Sequence, residues 1–191
     1  MKVHKRSAPD LLEYARSAKS PCKGAAMDLA NLIEPDRVII AARATNKHQL
    51  LQDLASRAAA LLNRDAQTIF TALQAREELG STGLGNGFAL PHARIEGLDR
   101  LFGMFMRLNR PIHFDSIDGK PVDLVFLLLI PSTAGSEHLG ALAAIARHLR
   151  DQEFAARLRK AASADALCTL LCNPQAGGAA VSEHGPAKSA S

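Results

Sequence analysis

The sequence predicts an α/β (α+β) fold, a three-layer α/β/α sandwich in which helices flank a mixed β-sheet. Segments with apolar residues at helical spacing precede, separate and follow short apolar or β-branched runs, an order typical of helices packed on both faces of a sheet. Residues 122–130 form a nearly continuous apolar run, which indicates a central strand buried on both faces. Aromatic residues make up only 4% of the chain, so a core of Leu and Ala favours helices on a sheet over an all-β sandwich.

Each predicted element has a local reason in the sequence. Predicted strands are short apolar or β-branched runs and cover residues 37–42, 88–90, 101–108 and 122–130. Predicted helices begin after side chains that can cap a first turn: Asn46, Asp65, Ser136, Asp151 and Ser163. The second helix is expected to stop near Gly80, and the stretch from Ser81 to Gly87 is expected to be a loop.

Charge and composition divide the chain into three parts. Residues 1–26 are expected to be a weakly ordered basic extension, residues 27–172 the folded domain, and residues 173–191, rich in Gly, Ala, Ser and Pro, a disordered tail. The extension carries six basic and two acidic side chains, which accounts for the whole formal net charge of +4. Because the rest of the chain is formally neutral and has no basic stripe with interleaved aromatics, we expect no nucleic-acid partner.

Cysteine usage and the length of the apolar runs indicate a cytoplasmic protein without direct membrane insertion. Three cysteines do not make a disulfide framework. The longest apolar run, from Leu124 to Ile130, is far shorter than the roughly 20 residues that cross a bilayer. Cys168 and Cys172 lie on one face of a predicted helix, as half of a metal site or as two small core residues. We expect core residues there, with neither a metal nor a cofactor.

His92 is the most informative candidate for chemistry. It ends the segment Gly85-Asn86-Gly87-Phe88-Ala89-Leu90-Pro91-His92, in which a predicted short strand follows a glycine loop. Glycines let a backbone approach an anion closely, and proline fixes the chain just before the imidazole. That setting suits a nucleophilic histidine that carries a group covalently. The alternative is a loop histidine without a chemical role.

The glycine loop before His92 does not match the known nucleotide-binding motifs. In the spacing Gly83-x-Gly85-x-Gly87, Phe88 stands where a dinucleotide fingerprint has its last glycine, and the loop follows a helix rather than a strand. No Lys-Ser/Thr pair follows it, so it is not the phosphate-binding loop of a nucleotide hydrolase. Gly-x-Ser-x-Gly and His-Glu-x-x-His are absent as well, which argues against an esterase and a zinc hydrolase.

A second histidine, His138, lies in the first turn of the helix predicted to begin at Ser136. The unpaired backbone N–H groups and the positive end of the helix dipole at such a turn favour a phosphate. A neutral imidazole in this place can hydrogen-bond to a phosphoryl oxygen. Alternatively, the side chain only covers the helix end.

Four further polar residues surround the same segment, each with a plainer alternative. Arg76 can pair with phosphoryl oxygens in a forked geometry, or be a solvated cation at a helix end. Ser81 and Thr82 can donate hydroxyl hydrogen bonds, or only shape the loop. Arg94, two residues past His92, can steer an acidic partner or be an ordinary surface side chain.

Taken together, these residues resemble the active-site segments of a bacterial family, the enzyme IIA components of the fructose/mannitol/nitrogen type in the phosphoenolpyruvate phosphotransferase system. Three motifs occur in order and with matching spacing over about residues 27–172. They are Arg76-Glu77-x-x-Gly80-Ser81-Thr82-Gly83-x-Gly85-Asn86-Gly87-x-Ala89-x-Pro91-His92, then Phe114-Asp115-x-Ile117-Asp118-Gly119-x-Pro121-Val122-Asp123-Leu124-x-Phe126, and finally His138-Leu139. One departure is Ala93, where many relatives have Gly.

The resemblance implies a role for each matching residue. In that family, the histidine after the proline accepts a phosphoryl group from a phosphohistidine of a small carrier protein, HPr or its nitrogen-branch relative, and this role falls on His92. His138 matches the family's second active-site histidine, and Arg76 its active-site arginine. The implied activity is phosphoryl transfer through a covalent phosphohistidine, without a metal or cofactor. The loop residues expected to face the phosphoryl group are Ser81, Thr82, Gly83, Gly85, Asn86 and Gly87.

The family divides by what the phosphoryl group is used for. The sequence leaves no room for a fused sugar-phosphorylating or membrane domain, and its Gly85-Asn86-Gly87 loop is closer to the nitrogen type. We therefore expect a regulatory protein whose phosphorylation state changes its binding to target proteins. The first alternative is a fructose-type component that passes the phosphoryl group to a IIB component for sugar uptake. The second is a binding module of the same fold whose His92 is never phosphorylated.

Overall fold

The computed structural model describes Leu29, residues 32–135 and residues 137–173, and of residues 137 and 138 it describes the backbone. The predicted extension over residues 1–26, the predicted tail beyond residue 173 and the predicted cap Ser136 lie outside the described residues. The strands are β1 Val38–Ala42, β2 Gly83–Gly85, β3 Phe88–Ala89, β4 His92–Ile95, β5 Phe102–Ile112 and β6 Val122–Pro131. The α-helices are α1 Lys47–Leu62, α2 Ala66–Glu78, α3 Glu137–Arg150, α4 Gln152–Lys160 and α5 Ala164–Cys172.

The strands form one mixed sheet in the order β1-β5-β6-β3-β2, and β4 also pairs with β6. The long strand β6 runs antiparallel to β5 on one side and parallel to β3 and β4 on the other. β3 and β4 follow one path along β6 and are separated only by Leu90 and Pro91. As a result, His92 opens β4 in register with Leu128 of β6.

The side chains of β6 alternate between the two faces of the sheet and build a core on each face. The odd-numbered residues from 125 to 129 pack with α1 and α2, and the even-numbered residues from 124 to 128 pack with α3, α4 and α5. All of them are fully buried. This arrangement confirms the predicted three-layer sandwich and the predicted central strand.

The predicted helix caps within the described residues are confirmed by hydrogen bonds. Asn46 accepts from the backbone N–H of Gln49 at 2.9 Å, and Asp65 accepts from that of Thr68 at 2.7 Å. Asp151 and Ser163 cap α4 and α5 in the same way. Such caps satisfy backbone donors that the first turn of a helix leaves unpaired.

The loop prediction for residues 81–87 is wrong in part, because β2 and β3 form an antiparallel hairpin there. Asn86 and Gly87 have φ angles of 54° and 82°. Two consecutive left-handed residues of the type Asn-Gly make the tight turn that suits the twist of a hairpin. The strand β4, which begins at His92, was also not predicted. Four residues with one exposed side chain give too weak an apolar pattern, and the strand exists because β6 offers it a partner.

Candidate active site

The imidazole of His92 is half-buried and is fixed by its own strand. Its Nδ1 lies 2.9 Å from the carbonyl oxygen of Leu90. Because a carbonyl oxygen only accepts hydrogen bonds, Nδ1 carries the proton and donates it. Nε2 therefore holds the lone pair in the neutral ring, and it is the nitrogen available for bond formation.

Arg76 meets the other side of the same ring from the last turn of α2. Its Nε donates to Nε2 of His92 at 3.0 Å, and its Nη1 donates to the carbonyl oxygen of Gly80 at 2.9 Å. A guanidinium group has donors only, so this bond also requires Nε2 to be the acceptor. Two independent hydrogen bonds thus specify the same tautomer of His92, and the structure brings together the two residues that the sequence analysis paired.

A groove of about 430 Å³ opens beside this pair. Its walls come from α2, from β4 and from the start of α3, and its rim carries two exposed leucines, Leu79 at 86% and Leu139 at 58% exposure. An open groove with an apolar rim and a basic side chain next to His92 suits a visiting protein surface rather than an enclosed small molecule. The lining residues are Ala72, Ala75, Arg76, Leu79, His92, Ala93, Arg94, Ile130, Leu139 and Leu142.

The first turn of α3 begins next to this groove. His138 directly precedes Leu139, which lines the groove, and the backbone of His138 belongs to that first turn. The position of its side chain lies outside the described residues. The structure thus brings the segment that carries His138 to the site, and the role of its imidazole stays a prediction.

Arg94 is exposed, lines the groove and holds the loop that leads into α3. Its Nη1 donates to the carbonyl oxygens of Ser132 and Ala134 at 3.2 and 3.0 Å. These bonds join β4 to the loop between β6 and α3. Arg94 therefore supports the approach of α3 to His92, and its expected steering of an acidic partner stays a prediction.

The two hydroxyl residues of the expected phosphate loop lie near His92 but are engaged elsewhere. The backbone carbonyl of Thr82 accepts from the N–H of Leu90, which places the start of β2 beside the end of β3. The hydroxyl of Ser81 donates to the carbonyl oxygen of Phe114 at 2.9 Å, and the hydroxyl of Thr82 donates to Glu77 at 2.6 Å. Both hydroxyls hold the loop in this structure, and their expected donation to a phosphoryl group stays a prediction. Gly83 follows them and lies against Ser116, whose Cα would be 2.8 Å from an added Cβ.

The structure does not bring the glycine turn to His92. The carbonyl oxygen of Gly87 accepts from the N–H of Leu124, four residues before Leu128, which is about 13 Å along the strand. The backbone N–H of Asn86 donates to the carboxylate of Asp118 at 2.9 Å. An added Cβ at Gly85 would meet the carboxylate of Asp118, and one at Gly87 would meet the guanidinium of Arg159 and the carboxylate of Asp123, which pair with each other. Because the turn lies this far from His92, its placement gives no support to the anion-binding role expected for Gly85, Asn86 and Gly87, which stays a prediction.

Residues 31–173 match the family model described as phosphoenolpyruvate-dependent sugar phosphotransferase system, EIIA 2. The chain belongs to this family. Among similar proteins of this enzyme IIA, a nitrogen regulatory protein of Bradyrhizobium diazoefficiens is 47% identical over 150 residues, covering 78% of this chain and 98% of that protein. A nitrogen regulatory protein of Pseudomonas aeruginosa is 41% identical over 150 residues, covering 78% and 97%. The resemblance inferred from the three motifs is thereby confirmed.

The fold of this enzyme IIA also matches solved structures. The crystal structure of the nitrogen regulatory protein IIA-Ntr from Neisseria meningitidis superposes with a TM-score of 0.71 at 32% identity and covers 75% of this chain and 98% of that one. The mannitol IIA of Escherichia coli, at 20% identity and a TM-score of 0.61, shares the fold. The α+β architecture with a mixed six-stranded sheet is therefore that of known IIA proteins.

Glu77 of this enzyme IIA received no role from the sequence, yet its side chain is only 7% exposed. Its carboxylate accepts from the N–H and the hydroxyl of Thr82 and from the ammonium of Lys47, at 3.0 Å from Nζ. Lys47 also contacts Asp115 at 2.7 Å. Burial alone would lower the pKa of Lys47, but the hydrogen bonds to Asp115 and Glu77 outweigh it and raise the pKa. The sequence signal for Glu77 is its place in the Arg76-Glu77 pair before the loop, but a role was predicted only for Arg76.

The remaining expectations concern metals and membranes. Among Leu29, residues 32–135 and residues 137–173, no three His, Cys, Asp or Glu side chains cluster as metal ligands. Cys168 and Cys172 are half-buried on α5, and Cys168 packs against the core, where burial raises the pKa of its thiol. In the described part of the chain, every helix is too short or too polar to span a bilayer.

Proposed function

We propose that this enzyme IIA is a phosphohistidine carrier that accepts a phosphoryl group on Nε2 of His92 from an HPr-like phosphocarrier. The supporting observation is the fixed ring, in which Leu90 accepts from Nδ1 and Arg76 donates to Nε2. Only a nitrogen with a lone pair can attack phosphorus, and the two bonds leave that lone pair on Nε2. The open groove gives a protein-borne phosphohistidine access to it.

The transfer balances without a net change of protons. The Nε2 lone pair of His92 forms a bond to phosphorus while the bond from phosphorus to the donor's imidazole nitrogen breaks, and the donor's ring leaves with that electron pair. Nδ1 of His92 keeps its proton and its hydrogen bond to Leu90, so the positive charge that forms on the ring sits against a carbonyl oxygen. Arg76 must release Nε2 before the attack, and its guanidinium then lies within reach of the phosphoryl oxygens.

The similar proteins support a regulatory output for the carrier. Proteins named nitrogen regulatory protein match nearly their whole length to this chain at 41% to 47% identity. We therefore assign this chain to the nitrogen type, in which the phosphorylation state of His92 governs binding to regulatory targets. Two alternatives remain. One is a fructose-type component with a IIB component as acceptor, and the other is a binding module that is never phosphorylated; the two assays below distinguish them from this proposal.

Mass spectrometry tests the phosphoryl acceptor. The chain is incubated with phosphoenolpyruvate, enzyme I and the HPr-like carrier, and an acid-labile gain of one phosphate is expected. The variant His92→Gln should gain none. His48→Gln is the matched control, because His48 is an exposed imidazole that contacts the edge of Phe70 outside the groove, and it should be labelled fully. Full labelling of His92→Gln would reject the assignment, and no labelling of the wild type would favour the binding module.

A second assay separates the two outputs. The phosphorylated chain is added to membranes that contain a fructose permease with its IIB component, and sugar phosphate is measured over time. The nitrogen type predicts that the label stays on His92. Rapid formation of fructose phosphate would instead establish the sugar-transporting alternative.

A further inference from the structure

Glu77 stands directly after Arg76 in α2 but faces a different set of partners. Consecutive side chains on a helix point about 100° apart, so Arg76 reaches His92 while Glu77 reaches Thr82 and Lys47. The carboxylate accepts three kinds of donor: a backbone N–H, a hydroxyl and an ammonium group. A carboxylate with 7% exposure needs such compensation, because an unpaired buried charge is costly.

A continuous path of hydrogen bonds runs from Glu77 to the imidazole. Glu77 accepts from the N–H of Thr82 at 3.0 Å. The carbonyl oxygen of Thr82 accepts from the N–H of Leu90 at 2.9 Å. The carbonyl oxygen of Leu90 accepts from Nδ1 of His92 at 2.9 Å. The N–H and C=O groups of Thr82, and likewise those of Leu90, belong to neighbouring peptide groups joined at one Cα. Each hydrogen bond therefore positions the residue that makes the next bond, and in this way the carboxylate bears on where the acceptor for Nδ1 lies.

Glu77 also affects the position of Arg76, which contacts Nε2 of the His92 ring. Arg76 donates to the carbonyl oxygen of Gly80, which lies between the end of α2 and Thr82. Gly80 has a φ of 146°, a conformation that favours glycine, and among the described residues no atom beyond its chain neighbours lies within 4 Å of an added Cβ. The short segment from Leu79 to Ser81 is therefore held at its far end by the bonds between Thr82 and Glu77. The carbonyl group of Gly80, within this segment, in turn fixes the guanidinium of Arg76 that donates to Nε2 of His92.

We propose that Glu77 is a positioning residue for His92, which acts through Thr82 and Leu90 to hold the imidazole in the tautomer with the proton on Nδ1. This inference rests on the proposed phosphocarrier function for its kinetic consequence, whereas the tautomer itself is a property of the unphosphorylated chain. Lys47 is the counter-ion of this carboxylate, and its ammonium group also lies 4.8 Å from the centre of the Phe114 ring.

Nitrogen-15 NMR of the unphosphorylated chain tests the proposal directly, because the two ring nitrogens of His92 give different shifts in each tautomer. Glu77→Gln should reduce the population with the proton on Nδ1, since an amide cannot serve both Lys47 and the two donors of Thr82. Glu78→Gln is the matched control, because Glu78 lies one residue further along α2, is exposed and pairs with Gln74. The control should keep the wild-type shifts.

Single-turnover phosphoryl transfer gives the second readout. Glu77→Gln should slow transfer by about tenfold while leaving the KM for the carrier protein unchanged, because the ring is misplaced and the groove is intact. Thr82→Val removes the hydroxyl donor and should act in the same direction, and Thr82→Ser keeps the hydroxyl and should restore the wild-type rate and shifts. The Thr82 pair decides the matter if Glu77→Gln does not fold.

The outcomes separate this inference from the proposed function. Wild-type shifts and rates in both Glu77→Gln and Thr82→Val would overturn the positioning role and leave the phosphocarrier intact. Altered stability with unaltered shifts would reduce Glu77 to an anchor of the loop and would also overturn it. Failure of the wild type to become phosphorylated would reject the proposed function, while the shift of the His92 tautomer would still test the hydrogen-bond path.

Discussion

Arg76 and His92, sixteen residues apart in sequence, are joined by an Nε–H···Nε2 hydrogen bond of 3.0 Å. A second hydrogen bond, from Nδ1 to the carbonyl oxygen of Leu90, keeps the proton on Nδ1 and leaves the lone pair on Nε2. The bond from Arg76 is made to that lone pair. Under the proposed function, the arginine covers Nε2 before transfer and would lie within reach of the phosphoryl group after it.

Replacement of Arg76 by Met should slow phosphoryl transfer to His92 by about a hundredfold, because a cationic donor at the transferred group is lost. Replacement by Lys should recover part of the rate, since it restores the charge but not the planar fork. Rapid-quench measurements with labelled carrier give both rates. A wild-type rate for Arg76→Met would mean that the contact with Nε2 has no part in transfer.

His138→Ala should still become phosphorylated at His92 but more slowly, by about tenfold, because the role predicted for His138 is to stabilise charge by a hydrogen bond and not to form the new bond. The same rapid-quench assay measures the rate, and mass spectrometry measures the final extent. An unchanged rate would make His138 only a residue that covers the helix end. A complete loss of labelling would instead place it in the bond-forming step.

Leu79→Ser should raise the KM for the carrier protein severalfold and leave the maximal rate of transfer unchanged. Leu79 is 86% exposed at the rim of the groove, so it contributes to contact with a partner and little to the core. Leu61→Ser on α1 is the control, because Leu61 is also an exposed leucine but lies outside the groove. Equal KM values for the two variants would argue against docking at this rim.

The glycine turn should matter for stability and not for transfer. Gly87→Ala is expected to lose about 2 kcal/mol in urea unfolding, because φ is 82° and an added Cβ would clash with the guanidinium of Arg159 and lie 2.7 Å from the carboxylate of Asp123. Gly140→Ala, in the open on α3, should gain about 0.5 to 1 kcal/mol. Asn86→Gly keeps the turn and should transfer at the wild-type rate. A slow Asn86→Gly variant would restore the phosphate-loop hypothesis.

Asp118 should make stability depend on pH in the acid range. The N–H of Asn86 holds the pKa of this carboxyl below its ordinary value of 3.8. A lowered pKa in the folded state gives stability that is present above 3.8 and is lost as the pH falls through the lower folded-state value. Asp118→Asn should therefore unfold at a lower urea concentration than wild type at pH 7, and the gap should narrow as the pH falls below 3.8. A gap that does not change with pH would contradict this.

The fold was predictable where local patterns are strong. The caps Asn46 and Asp65 and the apolar strand β6 follow from side-chain chemistry within a few residues, and all three are found. The strand that begins at His92 was not predicted, since it exists through its pairing with Leu128, far along the chain. The hairpin had a local signal in Asn86-Gly87, which was interpreted as an anion loop instead of a turn.

The site divides in the same way. Motif spacing was enough to single out His92 and Arg76, and the structure joins them. Motif spacing could not show that the chain from Gly87 to His92 runs extended along β6. At about 3.3 Å a residue, this extension places the turn about 13 Å from His92. Nor could motif spacing show that Glu77 is buried, because burial depends on Thr82 and Lys47 being brought to it.

By itself, the sequence determined the family, the layers of the fold and which histidine and arginine to pair, because periodicity, caps and motif spacing are local properties of a chain. Only the tertiary structure decided which ring nitrogen of His92 holds its lone pair and which loop residues lie near it. Those properties depend on hydrogen bonds between Leu90, Arg76 and His92 and on strand pairing along β6, and such contacts exist only after the chain has folded.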